Sequence, residues 1–284
     1  MKQLTAPAAE FPPMVLTIAH RGARSLAPEN TMAAIKKAWE AGADGVEVDV
    51  GVSGDGVLLL MHDPTLTRTT DVAARFPDRQ DHPFTTFSMG ELQSLDAGSW
   101  FIDTDPFGQL AAGAINRDEA ETFHRCTIPT LSELLDFITD KAWLINCELK
   151  SMPPPMETFP LAEAVLDAID RHKVAPAKVV ISSFDHRQLD IVSDRRPDIE
   201  IQALIGGDPA AGNNWGDYRY RTYNANGDCI DRAQITRAHD KRCAVNLYTV
   251  NETEAMRRYI DWGVAGLITD FPQLLKPIAL SATR

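Results

Sequence analysis

Short apolar runs recur along the chain, and amphipathic stretches of helical period lie between them. Runs at 15–19, 45–50, 143–149, 179–183, 200–205, 219–223, 244–249 and 266–269 predict strands. Helical spacing at 31–41, 131–139, 161–172, 186–194, 232–241, 252–262 and from Pro272 onward predicts the helices between them. Asn30 is the expected N-cap of the first helix, and Gly42 and Gly45 close it. Residues 206–218 are rich in Gly and Asn and predict no helix. Strand and helix alternating this often predict an α/β chain folded as a (β/α)8 TIM barrel.

Two stretches depart from that alternation. Ser53-Gly54-Asp55-Gly56 stands between two apolar runs, a β-hairpin signal after strand 2. Parallel barrel neighbours are not joined by a tight turn, so the hairpin is expected to extend above the barrel. With Gly54-Asp55 as its loop, counting places His62 opposite Glu47; with Asp55-Gly56, opposite Asp49. Either register leaves His62 on the face of those carboxylates, with Cβ atoms about 5 Å apart. The second departure is residues 64–129, rich in Thr, Asp, Gly and Pro, with one short helical pattern near 88–95. Following a strand end, it is expected to form an inserted cap over the active face, with Trp100 and Phe101 as apolar walls. The barrel is assigned to 14–284 with this insertion, and 1–13 to an N-terminal extension.

Within the second predicted strand Glu47 and Asp49 are two residues apart, so both carboxylates leave one face while the valines leave the other. Paired carboxylates repel, and a hard divalent ion with oxygen ligands, Mg2+ or Ca2+, removes the conflict. In 143–150, Leu144, Asn146, Glu148 and Lys150 share a face. Glu148, at a strand end, is the expected third metal ligand. Lys150 is the expected contact to an anionic group.

A net charge of −12 argues against wholesale binding to nucleic acid or to an anionic membrane. A small anionic substrate therefore needs local cations, which directs attention to Arg21, Lys150 and a metal. Cys126, Cys147, Cys229 and Cys243 form no CxxC pair and are expected to stay reduced. The first residues lack the continuous apolar core of a leader peptide, and no run reaches membrane-helix length; a cytoplasmic protein without stable membrane insertion is expected.

His20-Arg21-Gly22, Pro28-Glu29-Asn30-Thr31, Glu47-Val48-Asp49 and His62-Asp63, in this order and spacing, resemble the blocks of the glycerophosphodiester phosphodiesterases. Further blocks at 96–101, 128–135, 148–150, 182–184, 248–251 and 268–272 extend the likeness over nearly the whole chain, which is most similar to the cytosolic bacterial branch.

The resemblance implies metal-dependent hydrolysis of a small glycerophosphodiester to glycerol 3-phosphate and an alcohol, and it admits attack by the glycerol 2-hydroxyl through a cyclic phosphate. A phosphodiester has a shielded, negatively charged phosphorus and a poor alkoxide leaving group. One divalent cation neutralises charge and orients the nucleophile. Arg21 offers a bidentate fork. His20 and His62 serve as general base and acid, in an order that sequence leaves open. Glu29 stands in the family's PEN position, where it orients Arg21 or a glycerol hydroxyl. Phe184 and Tyr248 match residues that line the glycerol pocket; many family members have tryptophan where Tyr248 stands, so here the aromatic wall gains a hydroxyl. Asp270 is expected to cap a turn, and the other five histidines to be structural. The alternatives are a lysophospholipase D-type enzyme, which needs a groove for an acyl chain, and a catalytically silent barrel that binds a phosphoester.

Overall fold

In the computed structural model, which describes residues 14–282, nine strands form one sheet. In chain order they are β1 (Leu16–His20), β2 (Gly45–Val52), β3 (Leu58–Leu60), β4 (Leu144–Leu149), β5 (Val179–Ser183), β6 (Glu200–Ile205), β7 (Thr222–Asn226), β8 (Ala244–Tyr248) and β9 (Gly266–Thr269). All but β3 pair in parallel, and β1 bonds to both β2 and β9, which closes the eight-stranded barrel. The expected extension at 1–13 lies outside the described residues. No helix among the described residues is long and apolar enough to cross a membrane.

Covered on both faces, β2 is buried throughout. Val46, Val48 and Val50 join the main apolar core, while Glu47 faces a cavity at the barrel mouth. Amphipathic helices cover the outside, the longest being Leu161–Arg171 and Pro272–Ala282. The first barrel helix, Met32–Glu40, is capped by Thr31 rather than by Asn30. Asn30 instead spends its amide on Asp49: Nδ2 donates to Oδ2 at 2.9 Å, and Oδ1 accepts from the Asp49 N–H at 3.3 Å. No helix is found between β6 and β7 among the described residues.

Strand β7 begins at Thr222, three residues beyond the start expected at 219. Tyr218, Tyr220 and Tyr223 group with Trp215 in an aromatic cluster, so part of the apolar run belongs to that cluster. The strand itself, Thr-Tyr-Asn-Ala-Asn, is polar on its inward side because the barrel interior is polar there. Asn246 donates to Gln202 at 3.2 Å and to Asn224 at 2.9 Å.

The turn from β2 to β3 also differs from both expected registers. Val52 pairs with Leu58 and Val50 with Leu60, and the Ser53 N–H reaches the Val57 carbonyl at 3.0 Å. The loop therefore has three residues and ends on Gly56 at φ +84°, where a left-handed residue completes a bulged turn. Continued as a strand, this register would place His62 opposite Val48, away from the carboxylates. The strand instead ends at Leu60, and the departing chain carries His62 into the cavity that Glu47 and Glu148 line.

Residues 64–129 fold into short helices, including Met89–Gln93 and Ser99–Thr104. Leu66, Val72, Phe87 and Leu92 extend the main core. Phe101 is fully buried in a second apolar cluster with Ile115, Ala120 and Phe123, against Ala27 and Ala34. It is therefore interior packing and not an open wall. Trp100 packs on that cluster, its Nε1 donating to the Ala97 carbonyl at 3.0 Å. Because Phe101 has no solvent exposure, Phe101→Ala is expected to lower unfolding free energy by ~3–5 kcal/mol in urea titrations. A wall role would instead change KM and leave stability intact.

Candidate active site

The turn after β1 is set by its glycine. Arg21 and Gly22 both take left-handed backbone, φ 54° and 86°. A Cβ on Gly22 would stand 2.6 Å from the backbone carbon of Ala34 in the first helix, which no side chain tolerates. The turn aims the Arg21 N–H at Glu47 Oε2, 2.9 Å away, and its guanidinium at Glu29 Oε1 (2.8 Å) and Asp49 Oδ2 (3.2 Å). Arg21 and Asn30, two non-glycine residues with positive φ, thus both contact the acidic cluster, and backbone strain of this kind concentrates where function requires it.

Parallel pairing sets Asp49 beside Glu148 and Glu47 beside Asn146. Ligand oxygens of Glu47, Asp49 and Glu148 lie within 4.8 Å of one another, all in buried residues. Lys150 Nζ approaches Glu148 Oε1 at 2.8 Å and Asp49 Oδ1 at 3.3 Å. Burial, then the neighbouring Asp49 and Glu148, pushes the Glu47 carboxyl well above its ordinary range. Burial and Asp49 raise Glu148 as well. Burial would also raise Asp49, but the charges of Arg21 and Lys150 outweigh it and hold that carboxyl below its usual range. Glu47 Oε1 is buried with no hydrogen-bond partner among the described residues. An orphaned oxygen facing two further carboxylates is what a cation ligand looks like without its ion, and an all-oxygen donor set fits a hard divalent metal.

Each imidazole is anchored through Nδ1 by a carboxylate. His20 meets Asp270 Oδ1 at 2.7 Å, and Asn251 Nδ2 holds the other Asp270 oxygen at 2.8 Å. Asp270 therefore does more than cap a turn. Burial, followed by the Arg21 charge, lowers the His20 pKa below 6.5 even against Asp270. His62 meets Asp63 Oδ1 at 2.6 Å. Arg68 binds Asp63 through Nε at 2.5 Å and NH2 at 3.1 Å, and binds Glu29 through NH1 at 2.9 Å and NH2 at 2.7 Å. Arg24 reaches Glu29 at 3.6 Å and Asp270 at 3.5 Å. Burial alone would raise Glu29, but the Arg68 hydrogen bonds and the charges of Arg21 and Arg24 bring it down to about 2.

A cavity of about 390 Å3 is lined by His20, Arg21, Glu47, His62, Glu148, Lys150, Phe184 and Tyr248, among others. Asp49 and Glu29 do not line it, nor do Trp100 and Phe101. The Phe184 and Tyr248 rings meet edge-on at 6.0 Å, and the Tyr248 hydroxyl donates to the Ile205 carbonyl at 2.8 Å. The hydroxyl that distinguishes this position from tryptophan is thus tied to backbone. Asp63, Arg68, Arg24 and Asn251 are the site's further members. Asp63 adjoins His62 in sequence and could have been read there; Arg68 has no local signal, lying inside the insertion.

The model of the glycerophosphoryl diester phosphodiesterase family matches residues 20–274. The chain is 35% identical over 270 residues to the glycerophosphoinositol inositolphosphodiesterase of Mus musculus, covering 94% of this chain but only 48% of the mouse protein. It is 34% identical over 264 residues to the glycerophosphodiester phosphodiesterase of Caldanaerobacter subterraneus, covering 92% of this chain and 96% of that one. Among solved structures, the Oleispira antarctica phosphodiesterase in complex with its product sn-glycerol-3-phosphate superposes with a TM-score of 0.75 at 26% identity, over 93% of this chain and 96% of the other. The closed parallel barrel, the acidic triad at its mouth and the length of the match agree: this chain belongs to the glycerophosphoryl diester phosphodiesterase family.

Proposed function

We propose that the chain hydrolyses small glycerophosphodiesters to glycerol 3-phosphate and a free alcohol. The observation that carries this reading is a cavity lined by two imidazoles, each anchored on its Nδ1, and by Glu47 and Glu148, with Asp49 buried directly behind them to complete the carboxylate triad. The product carried by the Oleispira relative supports glycerol 3-phosphate as the released phosphate. Glu47, Asp49 and Glu148 hold one divalent cation, Mg2+ or Ca2+, which when bound neutralises a phosphoryl oxygen and helps orient the nucleophile. Arg21 and Lys150 donate to the remaining phosphoryl oxygens from opposite sides.

His20 is the base. It is buried, its pKa is lowered, and Asp270 fixes its Nδ1, which leaves Nε2 as the nitrogen that accepts the nucleophile's proton. His62, which also lines the cavity, gives a proton from Nε2 to the leaving alkoxide. Phe184 and Tyr248 form the apolar edge against the glycerol carbons. Glu29, with its oxygens taken by arginines, acts on substrate through Arg21. Residues 64–129 cap the site from the His62 side and contribute Arg68 to it.

Chelation is expected to lower kcat on glycerophosphocholine by at least ~100-fold, with recovery on adding Mg2+ or Ca2+. Activity that persists in metal-free enzyme would reject the reading. Replacing His20 or His62 by Ala should each cost roughly 10²–10⁴ in kcat. Parallel assays on lysophosphatidylcholine separate this function from a lysophospholipase D, and calorimetric binding without turnover would identify a silent barrel.

The pH profile carries a third expectation. His20 must be neutral to accept a proton, and its pKa is lowered, so the acid limb of kcat/KM lies below pH 6.5. Asp270 favours the charged imidazole; Asp270→Asn should therefore move that limb further toward acid while reducing kcat. A limb that moves toward neutral pH in this variant would remove His20 as the base.

A further inference from the structure

We infer that Arg68, supplied by the insertion, is the positioning residue that holds the proton donor His62 in line with the leaving group. This rests on the proposed hydrolysis and names a residue that acts through Asp63. One guanidinium makes four hydrogen bonds, two to Asp63 and two to Glu29, with NH2 shared between them. Asp63 spends its Oδ1 on both Arg68 NH2 and His62 Nδ1. Glu29 in turn grips Arg21 on the β1 turn. The imidazole is thus fixed to the barrel through a planar fork rather than through its own backbone alone.

That anchoring answers a local weakness. His62 follows a strand of only three residues, and its backbone has already left the sheet. Its side chain is 33% exposed, against 14% for His20. His20 sits on a paired barrel strand, and its Asp270 is hydrogen-bonded by Asn251 with Arg24 3.5 Å away, so its anchoring depends less on a single guanidinium. A lysine offers one ammonium on a flexible stem and cannot span two carboxylates in a fixed plane. The Arg68 ring contact with Trp100, 5.9 Å to the centroid, ties the fork to the insertion's own packing.

The test separates positioning of the acid from general damage by changing the leaving group. In glycerophosphocholine the departing alkoxide needs a proton, which moves from His62 Nε2 to the oxygen as the P–O bond breaks. In the 4-nitrophenyl ester of glycerol phosphate the departing nitrophenolate is a weak base and leaves without one. Arg68 is 43% exposed, so Arg68→Met opens no buried hole and should fold.

Arg68→Met is expected to lower kcat on glycerophosphocholine by about 10- to 100-fold with little change in KM, and to leave the 4-nitrophenyl ester within about threefold. Arg68→Lys should behave like Arg68→Met. Mg2+ affinity by calorimetry should match the parent protein, and both variants should stay fully folded at the assay temperature, with a thermal midpoint lowered by the lost Glu29 hydrogen bonds. Equal losses on both esters, no loss on either, or recovery with lysine would overturn the inference. Wild-type enzyme inert toward both esters would instead bring down the proposed hydrolysis, and this inference with it.

Discussion

Three carboxylates with oxygens confined within 4.8 Å of one another, out of water, form a charge arrangement that a folded chain does not hold without compensation. The rest of the site follows from that conflict. Arg21 and Lys150 flank Asp49 and keep it ionised, Asn30 adds two hydrogen bonds, and the remaining repulsion falls on Glu47 and Glu148. A divalent cation held between the three would relieve that repulsion. The same accounting explains why two non-glycine residues accept left-handed backbone beside the cluster. Arg21 and Asn30 deliver donors to Asp49, and the strain in their backbones is small beside the cost of an unpaired buried charge.

Glu29 is the pivot from which the two histidine arms diverge. Arg68 leads from it through Asp63 to His62, and Arg24 leads toward Asp270 and His20. Arg24 lies 5.2 Å from the Phe107 ring centroid, and Arg68 lies over Trp100, so both arms rest on aromatic side chains of residues 64–129. The insertion therefore belongs to the site's framework. Its own core, centred on Phe101 and Phe123, packs on the start of the first barrel helix and fixes the position from which these rings act.

Much of this was legible in the sequence, for reasons of period and chemistry. A strand buried on both faces is ordinarily apolar throughout, and Glu47 and Asp49 interrupt β2 at a two-residue spacing that puts both on one face. Glu148 and Lys150 follow by the same period, and the cavity gathers both with His20, His62 and Arg21. The failures have equally physical causes. His62 reaches the carboxylate side because the chain leaves β3 after Leu60, so the reasoning that placed it there through hairpin register does not hold. Strand β7 is expected three residues early because its inward residues are polar and a neighbouring tyrosine cluster imitates its apolar run. Asn30 follows the N-cap pattern, yet Asp49 outbids the helix for its amide. The link from Asp270 to His20 and that from Arg68 to Glu29 escape because the partners lie 250 and 39 positions apart, and nothing in local spacing encodes such pairs.

The separation between His20 and Asp270 has a bearing on biosynthesis. One residue ends the first strand of the ring and the other follows the last. A nascent polypeptide that has emerged only as far as β8 contains the acidic triad, both imidazoles and all three arginines, yet lacks the carboxylate that anchors His20 and the strand that seals the ring. The ring therefore closes, and His20 and Asp270 meet, only when the last strand docks beside the first.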